Sequence, residues 1–152
     1  MATLLLLAGC GFHLQGAITT PAEMSRTFVD AVDEYSQFHR ELRRGLQAAG
    51  VERVDTPEQA SAILSILTDR TDQRVLSVSA RNVPTEYEVF YTVEYTLATP
   101  DSVLLGPRDI TLTRDYTYDT TLVLGKTREE EMMREAIVKD LVRIVLKQIS
   151  LL

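Results

Sequence analysis

The chain has 152 residues, of which 45% are hydrophobic and 25% charged, a composition typical of one globular domain with its own core. The formal net charge of −6 disfavours a nucleic-acid-binding domain, which needs a predominantly basic surface. The single cysteine excludes an internal disulfide and cannot hold zinc alone. No apolar run approaches the roughly 20 residues of a membrane-spanning helix.

The first ten residues end in Leu7-Ala8-Gly9-Cys10 behind a short apolar run. This ending resembles the lipobox of bacterial lipoproteins, in which the cysteine is acylated and becomes the first residue after cleavage. It predicts that residues 1–9 are the remainder of a truncated signal peptide, because no basic residue precedes the apolar run. The alternative is a buried first strand ending at Cys10. Gly11, which follows the cysteine, indicates sorting to the outer membrane by the same resemblance.

The next segments predict a strand over Met24–Ala31 and a helix over residues 36–50. Ser36 suits the position before the first helical turn, and Gly50 suits the left-handed residue that ends a helix. Apolar residues recur at helical spacing between them, at Phe38, Leu42, Leu46 and Ala49. The opposite face is expected to be solvated and carries His39, Arg40, Arg43, Arg44 and Gln47.

Three strands are predicted in the middle of the chain, joined by short turns. The first begins near Ala60 and has a bulge near residues 69–72; Asn82-Val83-Pro84 forms the turn that follows. The second alternates most clearly, with Thr85, Tyr87, Val89, Tyr91, Val93, Tyr95 and Leu97 on one face. The third runs over residues 103–118 and is interrupted or bulged at Gly106-Pro107.

The last segment predicts an amphipathic helix that begins with a capping box at Thr127 and Glu130. Its apolar face contains Met133, Ala136, Ile137, Leu141, Ile144, Val145 and Ile149. The element order β-α-β-β-β-α therefore predicts an α+β two-layer sandwich. In it two helices pack on one face of a four-stranded, mostly antiparallel sheet.

Four segments spread along the chain carry a family resemblance. They are Cys10-Gly11-Phe12-His13-Leu14, Arg81-Asn82-Val83-Pro84-Thr85-Glu86-Tyr87, Arg114-Asp115-Tyr116-Thr117-Tyr118-Asp119 and Leu124-Gly125-Lys126-Thr127-Arg128-Glu129-Glu130. In this order they resemble the lipopolysaccharide-assembly lipoproteins of the LptE family. Val83 and Gly125 stand where that family often has Gly and Ala.

The resemblance implies a single lipidated domain, residues 10–152, attached through Cys10 to the outer membrane on its periplasmic side. It implies a role as a plug inside the LptD β-barrel, in a one-to-one complex whose assembly it assists, and as a binder of lipopolysaccharide. Arg81 and Lys126 match the family positions implicated in lipopolysaccharide binding. Arg128, Arg74 and Arg114 are weaker candidates, and each of these five residues has an ordinary solvated surface cation as its alternative.

Catalysis is not expected. His13 and His39 are the only histidines, and Cys10 is assigned to acylation. Gly125-Lys126-Thr127 resembles the end of a P-loop, but Thr120 stands where that motif requires Gly. No metal or cofactor is expected either. The alternative function is a periplasmic adaptor or transporter accessory with the same sandwich, because one fold hosts many functions.

Overall fold

The computed structural model describes residues 19–118 and 123–152, with side chains from residue 128 onward in the second range. After a short 3₁₀ turn at Ala22–Ser25 the elements are β1 (Arg26–Ala31), α1 (Gln37–Ala48) and β2 (Glu52–Arg53). A second 3₁₀ turn, Pro57–Gln59, precedes β3 (Ala62–Val78), β4 (Pro84–Ala98), β5 (Val103–Thr117) and α2 (Val123–Ile149).

The strands form one mixed sheet with the order β2-β1-β3-β4-β5. Strand β1 is parallel to both β2 and β3, while β3, β4 and β5 are antiparallel to one another. The predicted α+β class with two helices is confirmed, but the prediction of four strands is wrong. Strand β2 has only two residues, Glu52–Arg53, so it is too short to show an alternating pattern in the sequence.

Helix α1 has the predicted boundaries. The Ser36 side chain accepts a hydrogen bond of 2.9 Å from the His39 amide, and Gly50 has a φ of 81° just after the helix. His39 itself is buried, so its predicted place on the solvated face is wrong. Its ring Nδ1 lies 2.6 Å from the Glu34 carbonyl oxygen, because the side chain folds back over the loop that precedes the helix.

The two helices approach each other closely at Gly45 of α1. A Cβ atom at this position would lie 2.6 Å from Leu146 Cδ1 and 3.1 Å from Val142 Cγ1 of α2. A side chain at this position would therefore have to displace the Leu146 side chain, and glycine avoids that displacement.

The alternation predicted for β4 is confirmed, with every second residue from Val89 to Leu97 buried against the helices. In β3 the register against β4 shifts between Ile66 and Thr68, so the bulge lies at Leu67, just before the predicted position. The bulge reverses the alternation of β3: Ala62, Leu64 and Ile66 face the core, and beyond it Asp69, Thr71 and Gln73 take that side.

Strand β5 is continuous but bulged where the sequence predicts it. Tyr95 pairs with Arg108 and Leu97 pairs with Leu105, so Gly106 and Pro107 together oppose one residue of β4.

Helix α2 begins at Val123, one turn before the predicted capping box. Thr127 therefore lies inside the helix, and the predicted capping box is wrong. A capping pattern marks a helix start only if the preceding residues stop the helix, and Val123-Leu124-Gly125-Lys126 contains no proline to do so. From residue 128 onward, the buried residues of α2 are Ile137, Val138, Leu141, Val142, Val145, Leu146 and Ile149.

A partly buried polar network joins α1 to the sheet. Asp69 accepts hydrogen bonds from the Ser36 hydroxyl and, at 2.6 Å, from the Tyr91 hydroxyl. Burial raises the pKa of Tyr91, and the adjacent Asp69 carboxylate raises it further. The start of α1 is thus held on β3 and β4 by a carboxylate two residues past the bulge.

We expect Gly45→Val to lower the free energy of unfolding by about 1–3 kcal/mol, because the added methyl groups overpack the helix contact. Arg43→Val places the same β-branched side chain at an exposed position of α1 and is the control. Urea unfolding measures both variants. Equal losses would assign the effect to helix propensity and not to the contact with α2.

We expect Tyr91→Phe to lower the free energy of unfolding by about 2 kcal/mol at neutral pH, because a buried hydrogen bond to a carboxylate is lost. The raised pKa of Tyr91 also makes its ionisation unfavourable in the folded state. The neutral Tyr91 hydroxyl contributes fully to the stability of the folded state while the pH is below 10.0, the ordinary pKa of tyrosine. This contribution is lost as the pH rises above that value.

The Tyr91→Phe variant should therefore show a weaker loss of stability above pH 10 than the unchanged chain, measured by chemical unfolding. Tyr35→Phe removes the same hydroxyl at a position that is 85% exposed and serves as the control. An unchanged alkaline decline in Tyr91→Phe would contradict the assignment.

Candidate functional site

The β3–β4 hairpin ends in a tight turn that carries Arg81. The Ser79 amide donates to the Val83 carbonyl oxygen at 2.8 Å, and the Asn82 amide donates to the Ser79 carbonyl oxygen at 2.9 Å. Asn82 has a φ of 60°, a left-handed conformation that asparagine tolerates better than most residues. The sequence predicts this turn correctly, and Arg81 is exposed at its tip.

The chain that leaves β5 returns to the same end of the sheet. The Tyr118 amide donates to the Thr85 carbonyl oxygen at 2.8 Å, next to the hairpin turn. Tyr87 stacks on Tyr116 with 5.6 Å between ring centroids and meets the Tyr118 ring edge-on at 5.4 Å. Helix α2 starts five positions later along the chain, at Val123, so its first turn is attached to this end.

The two principal residues of the predicted site come from these two segments. Arg81 lies at the hairpin tip, and Lys126 lies in the first turn of α2, where its side chain is outside the described residues. The other predicted functional residue, Cys10, is also outside the described residues. We call the hairpin turn, the adjoining residues 75–78 of β3 and the start of α2 the distal end of the domain.

Arg128 of α2 and Arg114 of β5 lie on the same groove. With Glu129, Met132, Met133 and Ala136 they line a shallow groove of about 340 Å³. The Arg114 guanidinium donates to Asp140 at 2.7 Å, which fixes it on the helix, and Arg128 is exposed.

Arg74 is separated from this groove by the sheet. It pairs across the strands with Glu88, and its guanidinium lies 2.5 Å from the Glu88 carboxylate on the face opposite the helices. The weaker candidates of the sequence analysis therefore fall on two faces: Arg114 and Arg128 share a groove, and Arg74 lies behind it.

The distal end also exposes apolar side chains that the sequence analysis missed. Val75, Leu76, Val78 and Val83 are between 41% and 53% exposed. Leu76 also contributes to a cavity of about 350 Å³ with Tyr116, Glu129 and Met133. The sequence signal is the apolar run Val75-Leu76-Ser77-Val78, but only the structure shows that its apolar side chains stay exposed.

A second cationic surface lies on the outer side of α1. Arg40, Arg43 and Arg44 line a cavity of about 560 Å³ together with Arg53 of β2. The sequence predicts the three helix arginines as a solvated face. Their proximity to Arg53 depends on β2, which the sequence pattern does not reveal.

In residues 19–118 and 128–152, no group of three His, Cys, Asp or Glu side chains is placed to hold a metal ion. Across the described part of the chain, no helix combines the length and apolarity needed to cross a membrane.

The architecture is the one found in several solved bacterial lipoproteins. The solution structure of an uncharacterized lipoprotein B from Nitrosomonas europaea is similar, with a TM-score of 0.77 and 28% identity over 93% of this chain and 91% of that one. The crystal structure of rare lipoprotein B from Shewanella oneidensis has a TM-score of 0.72 and 27% identity, covering 82% and 93% of the two chains. The fold is thus a two-layer α+β domain of the kind found in these lipoproteins.

The family follows from the sequence comparisons. The family model of LptE, described as "Lipopolysaccharide-assembly", matches residues 24–149. The chain is 28% identical over 147 residues to the LPS-assembly lipoprotein LptE of Pectobacterium atrosepticum, covering 93% of this chain and 79% of that protein. It is 27% identical over 132 residues to that of Yersinia enterocolitica, covering 86% and 63%. The chain belongs to the LptE family of lipopolysaccharide-assembly lipoproteins.

Proposed function

We propose that this protein is an outer-membrane lipoprotein, anchored through Cys10, that plugs the LptD β-barrel, assists its assembly and binds lipopolysaccharide. In this proposal residues 1–9 are the remainder of the signal peptide and residues 10–152 the lipidated domain. The role is one of binding and assembly, without a catalytic step. The observation that carries the proposal is the amphipathic distal end, where exposed cations and exposed apolar side chains lie together.

The distal end suits both the phosphates and the acyl chains of a lipopolysaccharide molecule. Phosphates on its lipid portion are best bound by charge-assisted hydrogen bonds, and the guanidinium of Arg81 offers several donors in a fixed plane. Lys126 and Arg128 come from the first two turns of α2. The exposed Leu76 and Val78 supply apolar surface for acyl chains on the same hairpin as Arg81.

The outer face of the sheet supports the role of a plug. Apart from Phe90, its central rows are mostly polar: Thr92 pairs with Thr111, their hydroxyls 2.8 Å apart, and Thr68 donates to Glu94 at 3.2 Å. The lumen of an outer-membrane barrel is also polar, so such a face can lie against it without burying unpaired apolar surface.

We expect the double variant Arg81→Ala/Lys126→Ala to bind lipopolysaccharide at least tenfold more weakly, because hydrogen bonds to charged groups contribute about 1.5–3 kcal/mol each. Binding is measured with the purified protein by titration with lipopolysaccharide. Arg43→Ala/Arg44→Ala removes the same two charges from α1 and should leave binding within about twofold. Undiminished binding in the first variant would remove both residues from the site.

We expect photocrosslinking residues at several faces to capture one barrel protein in outer membranes. Suitable exposed positions are Thr113 on the sheet, Arg44 on α1 and Lys147 on α2. A plug is surrounded by its barrel, so all three positions should yield the same adduct. Capture of a barrel from one face alone, or of an inner-membrane transporter, would favour the alternative of a periplasmic adaptor.

A further inference from the structure

Strand β3 has a long free edge. Its pairing with β1 ends at Ala31 and Ile66, whereas its pairing with β4 continues to Val78. Beyond Ile66, β4 is the only strand paired with β3 in the described part of the chain. Residues 70–76 are all exposed. An unpaired strand edge carries backbone donors and acceptors and is a template for another strand. The Gln73 amide donates to the Asp72 carboxylate at 2.8 Å, a contact that pairing with another strand would have to replace.

The side chains along this edge alternate in charge. Arg70, Asp72 and Arg74 point to the outer face, and Thr71 and Gln73 point to the side of the helices. A strand with opposite charges two positions apart is complementary to an antiparallel copy of itself. In such a pair, residues directly opposite each other lie on the same face.

In a symmetric pair, the residue on the two-fold axis lies opposite the same residue of the other copy. Only a few residues of this edge can take that position. An axis at Thr71 would place Leu76 of one copy opposite Ile66 of the other. The edge of β3 at Ile66 is already paired with Ala31 of β1, so a second strand cannot extend that far. An axis at Asp72 sets two aspartates against each other, and an axis at Arg74 sets two arginines against each other. Like charges directly opposite are destabilising.

An axis at Gln73 avoids all of these conflicts. Asp72 of each copy then lies opposite Arg74 of the other, which gives two ion pairs, and Thr71 lies opposite Val75. The side chain of Arg74 is 65% exposed although it also contacts Glu88, so it is accessible to a second carboxylate.

We propose that two copies of this chain pair antiparallel through residues 71–75 of β3, with Gln73 on the two-fold axis. The two sheets become one continuous sheet, with the helices of both copies on the same side. Five residues per copy bury little surface, so the dimer is weak and transient. The inference rests on the strand edge and its charges and is independent of the proposed function.

Disulfide trapping tests the register. In the full chain with Cys10→Ser, we expect Gln73→Cys to form a covalent dimer readily on mild oxidation, because the two positions face each other. Thr71→Cys is the matched control, since its two copies lie four residues apart along the strands, about 13 Å, too far for a disulfide. Gln73→Cys removes the hydrogen bond that Gln73 accepts from Tyr116. Thr71→Cys removes two, one donated to the Phe90 carbonyl and one accepted from Arg134.

Charge exchange tests the partners. Added to Gln73→Cys, Asp72→Arg should slow trapping at least fivefold. The further changes Arg74→Asp and Glu88→Gln should restore it, because each ion pair is re-formed with reversed sign and the carboxylate that Arg74 faces within its own copy is removed. Thermal unfolding establishes that each variant is folded. Equal trapping at positions 71 and 73, no recovery in the charge-exchanged variant, or a purely monomeric chain in sedimentation at high concentration would each overturn the proposal.

Discussion

The bulge at Leu67 is the constraint on which the rest of the structure depends. Before it, β3 lies between β1 and β4 and directs Leu64 and Ile66 into the core. After it, β3 has lost β1, and the first three residues on its helix-facing side are the polar Asp69, Thr71 and Gln73. One extra residue thus divides the sheet into a proximal half that carries the core and a distal half that extends beyond it. A bulge has this effect because it moves every later side chain to the opposite face.

The polar residues that the bulge turns inward are used to hold the helices. Asp69 bonds Ser36 at the start of α1, and Thr71 accepts a hydrogen bond from Arg134 of α2, which is also paired with Glu130 at 2.6 Å. Further along, the Tyr116 hydroxyl donates to Gln73 at 3.0 Å. The distal half of β3 is therefore positioned by hydrogen bonds, whereas the proximal half is positioned by apolar packing.

This division matches the division of roles that we propose. The proximal half has the buried helix contact at Gly45 and tolerates little change in volume. The distal half presents Arg81, exposed apolar residues and a free strand edge, all of which are available to other molecules. Because the hairpin is tied to β5 by the Tyr87, Tyr116 and Tyr118 rings, its tip is presented on a supported strand pair and not on an isolated loop.

The sequence by itself determined the elements whose patterns are local. Alternation in β4, the Ser36 and Gly50 boundaries of α1, the bulge at Gly106-Pro107 and the family segments are all readable from neighbouring residues, because period and capping are short-range properties. The α+β class and the LptE family follow from them. The start of α2 was misplaced because a capping pattern does not show whether the helix continues upstream.

The tertiary structure alone decided what depends on residues distant in sequence. Strand β2 exists only because β1 offers it an edge, and His39 is buried only because the loop before α1 folds under it. The site candidates were chosen by family position, and the structure separates Arg74 from Arg114 and Arg128 by a whole sheet. The face that a strand residue takes depends on every bulge before it, and bulges are set by pairing with another strand, which no local pattern records.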